Sequence, residues 1–261
     1  MTPLAGISIG PLADTGSPHG LWAIGATIAL LAAFFLVRGR IRIEKGWGGF
    51  SIPRFGRIDR LAHWLLAASF LALALADLTI QHGLGPLATL LGDRGRGEVL
   101  RMREHLQSVA SVVFLASLPL AFALWVRHSV PHWSDAVWLL KGGGLIVRRT
   151  HPPARKFNAG QKLLFWIVIL CGAWVSGLIP RYEGYGTAWH GVPALLLTCA
   201  VIVHIYLRTV GVQGAASAMI SGEVDANWAR QHHSLWAEQE IERMVDAAGP
   251  ARSDAAVSRP D

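Results

Sequence analysis

The sequence predicts an all-α integral membrane protein, a bundle of five transmembrane helices. Its residues are 52% apolar and only 16% charged, whereas a soluble domain carries about 25% charged residues. Five apolar stretches come close to or exceed the length of about 20 residues that a helix needs to cross a bilayer. Lysine and arginine are concentrated in alternate connecting segments, which is typical of multi-pass membrane proteins.

The predicted helices and their connections follow in order along the chain. The lead, residues 1–20, contains no lysine or arginine. A secretory signal begins with basic residues, so the first span is expected to be retained. The spans are expected at 21–37, 61–80, 105–126, 163–180 and 189–210. Residues 81–103 and 127–160 are interpreted as loops, and the polar tail from about 211 is expected to be disordered from about 247.

The charge of the connecting segments predicts the orientation. Segments 38–60 and 127–162 each carry seven Lys or Arg, the tail with Arg208 carries five, and the opposite side carries five in all. This bias predicts that the N-terminus lies on the outer side of the membrane and the C-terminus in the cytoplasm. The net charge of +7 lies mostly in these segments, so it indicates a lipid bilayer as partner and not a nucleic acid.

Four of the eleven histidines lie in or at the edge of predicted spans: His63, His105, His190 and His204. The orientation places His63 and His204 near the inner face and His105 and His190 near the outer face, each pair on two different helices. Bis-imidazole ligation of haem iron needs one neutral imidazole from each of two facing helices. His190 and His204 are also 14 positions apart, so they share one helix face about 21 Å apart. The pattern therefore favours two stacked haems.

Two other classes of protein remain open from the residues alone. A haem-free transporter could use intramembrane histidines to relay protons or bind a metal, and such folds often contain repeats or broken helices. A passive membrane anchor would need no histidines at matched depths. Cys171 and Cys199 both lie in apolar runs, and without a cysteine cluster this chain holds no iron–sulfur centre of its own.

Several stretches are similar to one known family. They are Arg57-Ile-Asp-Arg-Leu-Ala-His-Trp64, Lys156-Phe-Asn-Ala-Gly-Gln-Lys162, Val203-His-Ile-Tyr206 and Asn227-Trp-Ala-Arg-Gln-His-His-Ser-Leu-Trp236. Over roughly residues 54–240 the chain resembles the gamma subunit, the membrane cytochrome b, of respiratory formate dehydrogenases. The span at 21–37 looks like a helix added to that family.

The resemblance implies two haem b groups, the outer held by His105 and His190 and the inner by His63 and His204. It implies a quinone pocket at Asn158, Gly160 and Gln161, for menaquinone or ubiquinone. The implied partners are an iron–sulfur (beta) subunit and a molybdenum- or tungsten-containing catalytic (alpha) subunit. The chain would then be the membrane subunit of a formate:quinone oxidoreductase and would not oxidise formate itself. It would lie in a bacterial inner membrane, with a periplasmic N-terminus and a cytoplasmic C-terminus.

The implied domains are a periplasmic lead at 1–20, an added helix with its basic linker at 21–53, a four-helix di-haem domain at 54–215 and a cytoplasmic tail at 216–261. One departure concerns the third span, where the family often has proline after the histidine and here Leu106 follows His105. Within electron transfer, the alternative is the cytochrome b subunit of a membrane-bound hydrogenase or a related quinone reductase.

Overall fold

The computed structural model describes residues 18–78, 84–179 and 188–248, and these form a helical bundle with a small cap at one end. The long helices are α1 (Pro18–Arg38), α2 (Arg57–Leu78), α3 (Leu84–Ser129), α5 (Ala159–Val175) and α6 (Ala188–Tyr206). Shorter elements are α4 (Trp133–Leu140), α7 (Ser217–Ile220), α8 (Ala226–His232), α9 (Ser234–Ala248), β1 (Ser51–Pro53) and β2 (Glu223–Asp225). The predicted lead lies almost wholly outside the described residues.

Four of these helices are long and apolar enough to cross a membrane, over Gly20–Arg38, Arg57–Ala76, Arg94–Ser129 and Gly191–Gly211. A fifth, α5, is equally apolar in character but has only 17 residues. The predicted fold class, an all-α membrane bundle, is therefore confirmed.

The bundle is held together by contacts between neighbouring helices. Helix α2 packs on α3, α3 on α5, and α5 on α6. The side chains inside are large and fully buried near mid-height, with Phe114 2% and Leu197 1% exposed. Helix α1 packs on the outside of α6, where Phe34 meets the ring of Tyr206 edge-on. The added helix therefore contacts the bundle of its own chain.

The loop prediction for 81–103 is wrong over the part that the structure describes, because α3 already begins at Leu84. Charged side chains in this stretch support a helix: Arg101 pairs with Glu98 one turn earlier, an arrangement that stabilises exposed helices. Gly92, with φ 64°, interrupts the helical backbone, and only glycine adopts such a conformation at little cost. The polar sequence therefore marks a helix that extends beyond the apolar core.

A cap covers one end of the bundle, and we define it as residues 39–56, 130–158 and 207–248. Strand β1 pairs antiparallel with β2, with Ile52 opposite Val224. The linker after α1 also pairs with the segment after α6, since Ile41 donates its N–H to Gly211 and accepts the N–H of Gln213. The predicted polar tail is therefore folded as far as 248, and its end lies outside the described residues.

Arg54 joins the three segments of the cap. Its side chain is 3% exposed, and its guanidinium lies 5.1 Å from the ring centre of Trp228 and 5.0 Å from that of Trp236. It donates hydrogen bonds to the carbonyl of Lys156 and to Nε2 of His233. Burial lowers the pKa of Arg54 well below its ordinary value, so its surrounding aromatic faces and acceptors are what keep a cation there stable.

Candidate functional site

His63 and His204 meet where α2 faces α6. Their ring centres are 6.2 Å apart and the ring planes are inclined by 55°. Both side chains are half-buried, and they come from helices that are more than a hundred residues apart in sequence. The structure thus brings together the two histidines that were predicted as the inner pair.

The spacing of these rings fits two axial ligands of one iron. A metal–imidazole bond is roughly 2 Å long and the ring centre lies about 1 Å beyond the bonded nitrogen, so opposed ligands have ring centres about 6 Å apart. Nδ1 of His63 is buried without a hydrogen-bond partner among the described residues. In that same part of the chain no three His, Cys, Asp or Glu side chains lie together. The pair therefore suits a porphyrin iron, which brings its own equatorial ligands.

The two histidines of the predicted outer pair lie on α3 and α6. His105 lies on α3 at an exposed position. The backbone of His190 lies in the first turn of α6, and its side chain is outside the described residues. Leu197, midway between His190 and His204 on α6, is almost completely buried. Leu197 belongs to a buried apolar cluster with Phe114 of α3, so the core of the bundle is packed between these two positions of α6.

A cavity of about 390 Å³ is lined by His204 and by residues of the cap. Its walls come from α4, the loop after it, α5, α6 and α8. Among its lining residues are His204 together with Asn158, Gly160 and Gln161. All three residues of the predicted quinone pocket therefore lie at one cavity with an inner histidine.

Asn158 and Gln161 form the N-terminal capping box of α5. The side-chain oxygen of Asn158 accepts the N–H of Gln161 at 3.0 Å, and that of Gln161 accepts the N–H of Asn158 at 3.2 Å. This exchange explains why α5 begins here. Both amide NH₂ groups are left without an acceptor in the described part of the chain, so they remain available as donors to a ligand in the cavity.

Trp138 forms one wall of the cavity and is enclosed by two glycines. A Cβ on Gly143 would lie 2.5 Å from its ring, and one on Gly160 would lie 3.1 Å from it. Gly143 also has φ +67°, which disfavours any other residue. Both glycines line the cavity, so they are needed for the close approach of the indole. This accounts for Gly160 in the predicted pocket as a packing position.

Arg208 was not predicted as a site residue. It follows His204 by one helical turn and lines the cavity, and its guanidinium has no hydrogen bond or ion pair within the described residues. Its spacing of four from His204 was a signal that the sequence offered. An unpaired cation at this position suits an anionic group, such as a carboxylate of a ligand.

His232 and His233 also belong to the region of the cavity. His233 donates from Nδ1 to the carbonyl of Arg155 and accepts from Arg54 at Nε2, so it is a neutral ring with a fixed tautomer. Its pKa lies well below 6.5 because of burial and the charge of Arg54. Burial, with smaller effects of His151, Arg208 and Arg54, also lowers the pKa of His232 to about 3.

Residues 54–222 match the family described as prokaryotic cytochrome b561. The chain belongs to the prokaryotic cytochrome b561 family. Membership of this cytochrome b561 family implies that the protein binds haem b, which agrees with the geometry of His63 and His204. The match begins after the first helix and its linker, so these lie outside the family's common region.

Three curated relatives of this cytochrome b561 protein are subunits of formate dehydrogenases. It is 28% identical to the cytochrome b556(Fdn) subunit of the nitrate-inducible enzyme of Escherichia coli K12, over 74% of this chain and 92% of that protein. The cytochrome b556(fdo) subunit of the same organism is 28% identical over 71% of this chain and 92% of its own length. The cytochrome b556 subunit of Haemophilus influenzae is 25% identical over 70% and 80%. The predicted resemblance is therefore confirmed, and the chain is a membrane electron-transfer protein.

Proposed function

We propose that this protein is the di-haem b subunit of a formate dehydrogenase complex, passing electrons across the membrane to a quinone. The observation that carries this proposal is the 6.2 Å spacing of the His63 and His204 rings on facing helices. The names of the relatives favour a formate dehydrogenase complex over a hydrogenase. The partners would be an iron–sulfur subunit and a molybdenum- or tungsten-containing catalytic subunit on the periplasmic side.

The chain would hold two haems b at different depths. His63 and His204 would ligate the inner one, and His105 and His190 the outer one. Bound haem supplies one-electron redox chemistry, whose potential depends on its ligands, its burial and nearby charges. Arg208, which has no anionic partner among the described residues, is placed to bind a propionate of the inner haem. Its positive charge would favour the reduced state there.

The quinone would bind in the cavity beside the inner pair. The free amide groups of Asn158 and Gln161 can donate to a quinone carbonyl, and the N-terminus of α5 adds its partial positive charge. The apolar surfaces of Trp138 and Leu164, which also line the cavity, suit a quinone ring. These groups bind and orient the quinone next to His204.

The excess of Lys and Arg in the loops at this end supports a cytoplasmic position for the cavity. Electrons that enter from the periplasm and reduce a quinone near the cytoplasm move charge across the membrane. Each charge that crosses 100 mV is worth about 2.3 kcal/mol. The protein would therefore help to conserve energy from formate oxidation without a separate pump.

The experiment that tests the proposal is a haem count on ligand variants. The purified wild-type protein should contain two haems b per chain by the pyridine haemochrome method. His63→Ala and His204→Ala should each contain one, because removing either ring leaves one axial ligand at the inner position. His128→Ala is the matched control, because this half-buried histidine packs against Phe157 away from the pair and should leave two haems.

Two results would contradict the proposal. A wild-type protein without haem absorbance would favour the transporter or anchor interpretation. Variants of His63 and His204 that keep both haems would show that the inner ligands are wrongly assigned.

A further inference from the structure

An acid and a histidine meet on the cap beside the cavity. Oε2 of Glu44 lies 3.0 Å from Nε2 of His151, and their side chains are 45% and 35% exposed. His151 also lines the cavity. This pair therefore has one side in solvent and the other side at the space where Asn158, Gln161 and His204 meet.

Glu44 is held at this position by backbone contacts. Its N–H donates to the side-chain oxygen of Gln231 at 2.9 Å, and the amide nitrogen of Gln231 donates to the carbonyl of Arg42 at 3.0 Å. Gln231 itself lines the cavity. The carboxylate of Glu44 takes no part in these two bonds, and its partner is His151.

The inner lining cannot easily supply protons by itself. The charged or titratable groups close enough to act on His232 are His151, Arg208, Arg54 and His233. Arg208 and Arg54 are cations, and His233 is fixed as a neutral ring by two hydrogen bonds. Among the described residues that line the cavity, no Asp or Glu is present. The carboxylate of Glu44, paired with His151 at the wall of the cavity, is therefore the candidate source of protons.

We propose that Glu44 and His151 take up the protons for quinone reduction from the cytoplasmic water and pass them into the cavity. This inference rests on the proposed function. Each quinone accepts two electrons from formate through the haem that His63 and His204 would hold, and two protons through this pair, forming two O–H bonds. Glu44 regains each proton from water and returns it to His151, so neither residue is changed at the end. The added N-terminal segment thereby supplies a working group to the family's bundle.

The test uses the full-length protein in membranes and does not depend on its partners. The haems are reduced with a stoichiometric amount of dithionite and then mixed with decylubiquinone or menadione, and haem reoxidation is followed by stopped flow. Glu44→Gln and His151→Gln should slow reoxidation on the order of tenfold at pH 8. This loss is smaller than the removal of a general acid usually causes, because water is expected to supply some protons directly. The loss should be smaller at pH 6, and the half-saturating quinone concentration should be unchanged.

Three comparisons separate proton supply from a structural role. Glu44→Asp should keep most of the rate, and added imidazole should restore rate to His151→Gln. Glu98→Gln removes a carboxylate from another exposed ion pair, with Arg101, and should behave as wild type.

Each outcome decides between named explanations. Wild-type rates in both variants at every pH would overturn the inference. A loss that is equal at all pH values and is not restored by imidazole would overturn it too, since it would indicate only a structural contact. If the wild-type haems are not reoxidised by either quinone, the quinone function itself is wrong and the inference falls with it.

Discussion

Asn158 combines two roles that a pair of substitutions can separate. Its side-chain oxygen caps α5, and its side-chain nitrogen is free to donate to the quinone. Asn158→Asp keeps an acceptor for the N–H of Gln161, since Asp and Asn are about equally good N-caps. It removes the donor. Asn158→Ala removes both.

The expected magnitudes follow from these contacts. A ligand carbonyl that loses its donor in a buried site costs about 1–3 kcal/mol, and about 1.4 kcal/mol corresponds to a factor of ten. Both variants should therefore raise the KM for quinone by about 5-fold to about 150-fold. Only Asn158→Ala should also lower stability, by about 0.5–2 kcal/mol for the lost cap.

Quinone titrations of haem reoxidation and thermal unfolding in detergent measure these two effects. Haem content should be unchanged in both variants. Asn227→Asp is the matched control, because its amide donates to the carbonyl of Gly46 on the cap and it does not line the cavity. A wild-type KM in Asn158→Asp, with a stability loss in Asn158→Ala alone, would mean that Asn158 is a helix cap and nothing more.

Two further predictions concern the wall of the cavity and the cap. Gly143→Ala should raise the quinone KM, because its Cβ would lie 2.5 Å from the Trp138 ring and displace it. Gly39→Ala is the control: this glycine has the same left-handed backbone, but its Cβ would have no atom within 4 Å. It should cost only about 1–2 kcal/mol of stability and leave the KM unchanged. In the folded protein the pKa of His233 lies well below its ordinary value of 6.5. Below pH 6.5 the unfolded chain therefore binds a proton at this residue more readily than the folded chain does. Stability should therefore be retained above that pH and fall as the pH drops below it, which limited proteolysis of the tail can follow. His233→Gln should weaken this dependence and leave the part due to His232, whose pKa is also low; an unchanged dependence would point to another group.

The inner histidines could be predicted because their constraints are visible in the sequence. A histidine in an apolar span is costly, and loop charge gives its depth, so His63 and His204 were matched without knowing which helices touch. The capping box at Asn158 and Gln161 also depends only on residues close in sequence. Family resemblance predicted a quinone pocket at these residues, and the cap itself was not predicted. The structure adds that these two side chains bind each other and leave their amides free.

The cap could not be predicted because its contacts join distant segments. Glu44 and His151 are separated by more than a hundred residues, and so are Arg54 and His233. No periodicity in the sequence links such pairs. The prediction of a loop at 81–103 is wrong from residue 84 onward for a different reason. Many charged residues are typical of a loop, but on an exposed helix the same charges can pair along one face.

The position of Arg54 has a consequence for how the molecule is made. The aromatic rings and acceptors around this guanidinium include Trp228, His233 and Trp236, which follow all five long helices in the sequence. During translation Arg54 therefore lacks these partners until all the long apolar helices have been made. Closure of the cap over the cavity is then expected to be the last step of folding. A chain that stops short of residue 226 would keep its membrane helices but leave the cavity open to water.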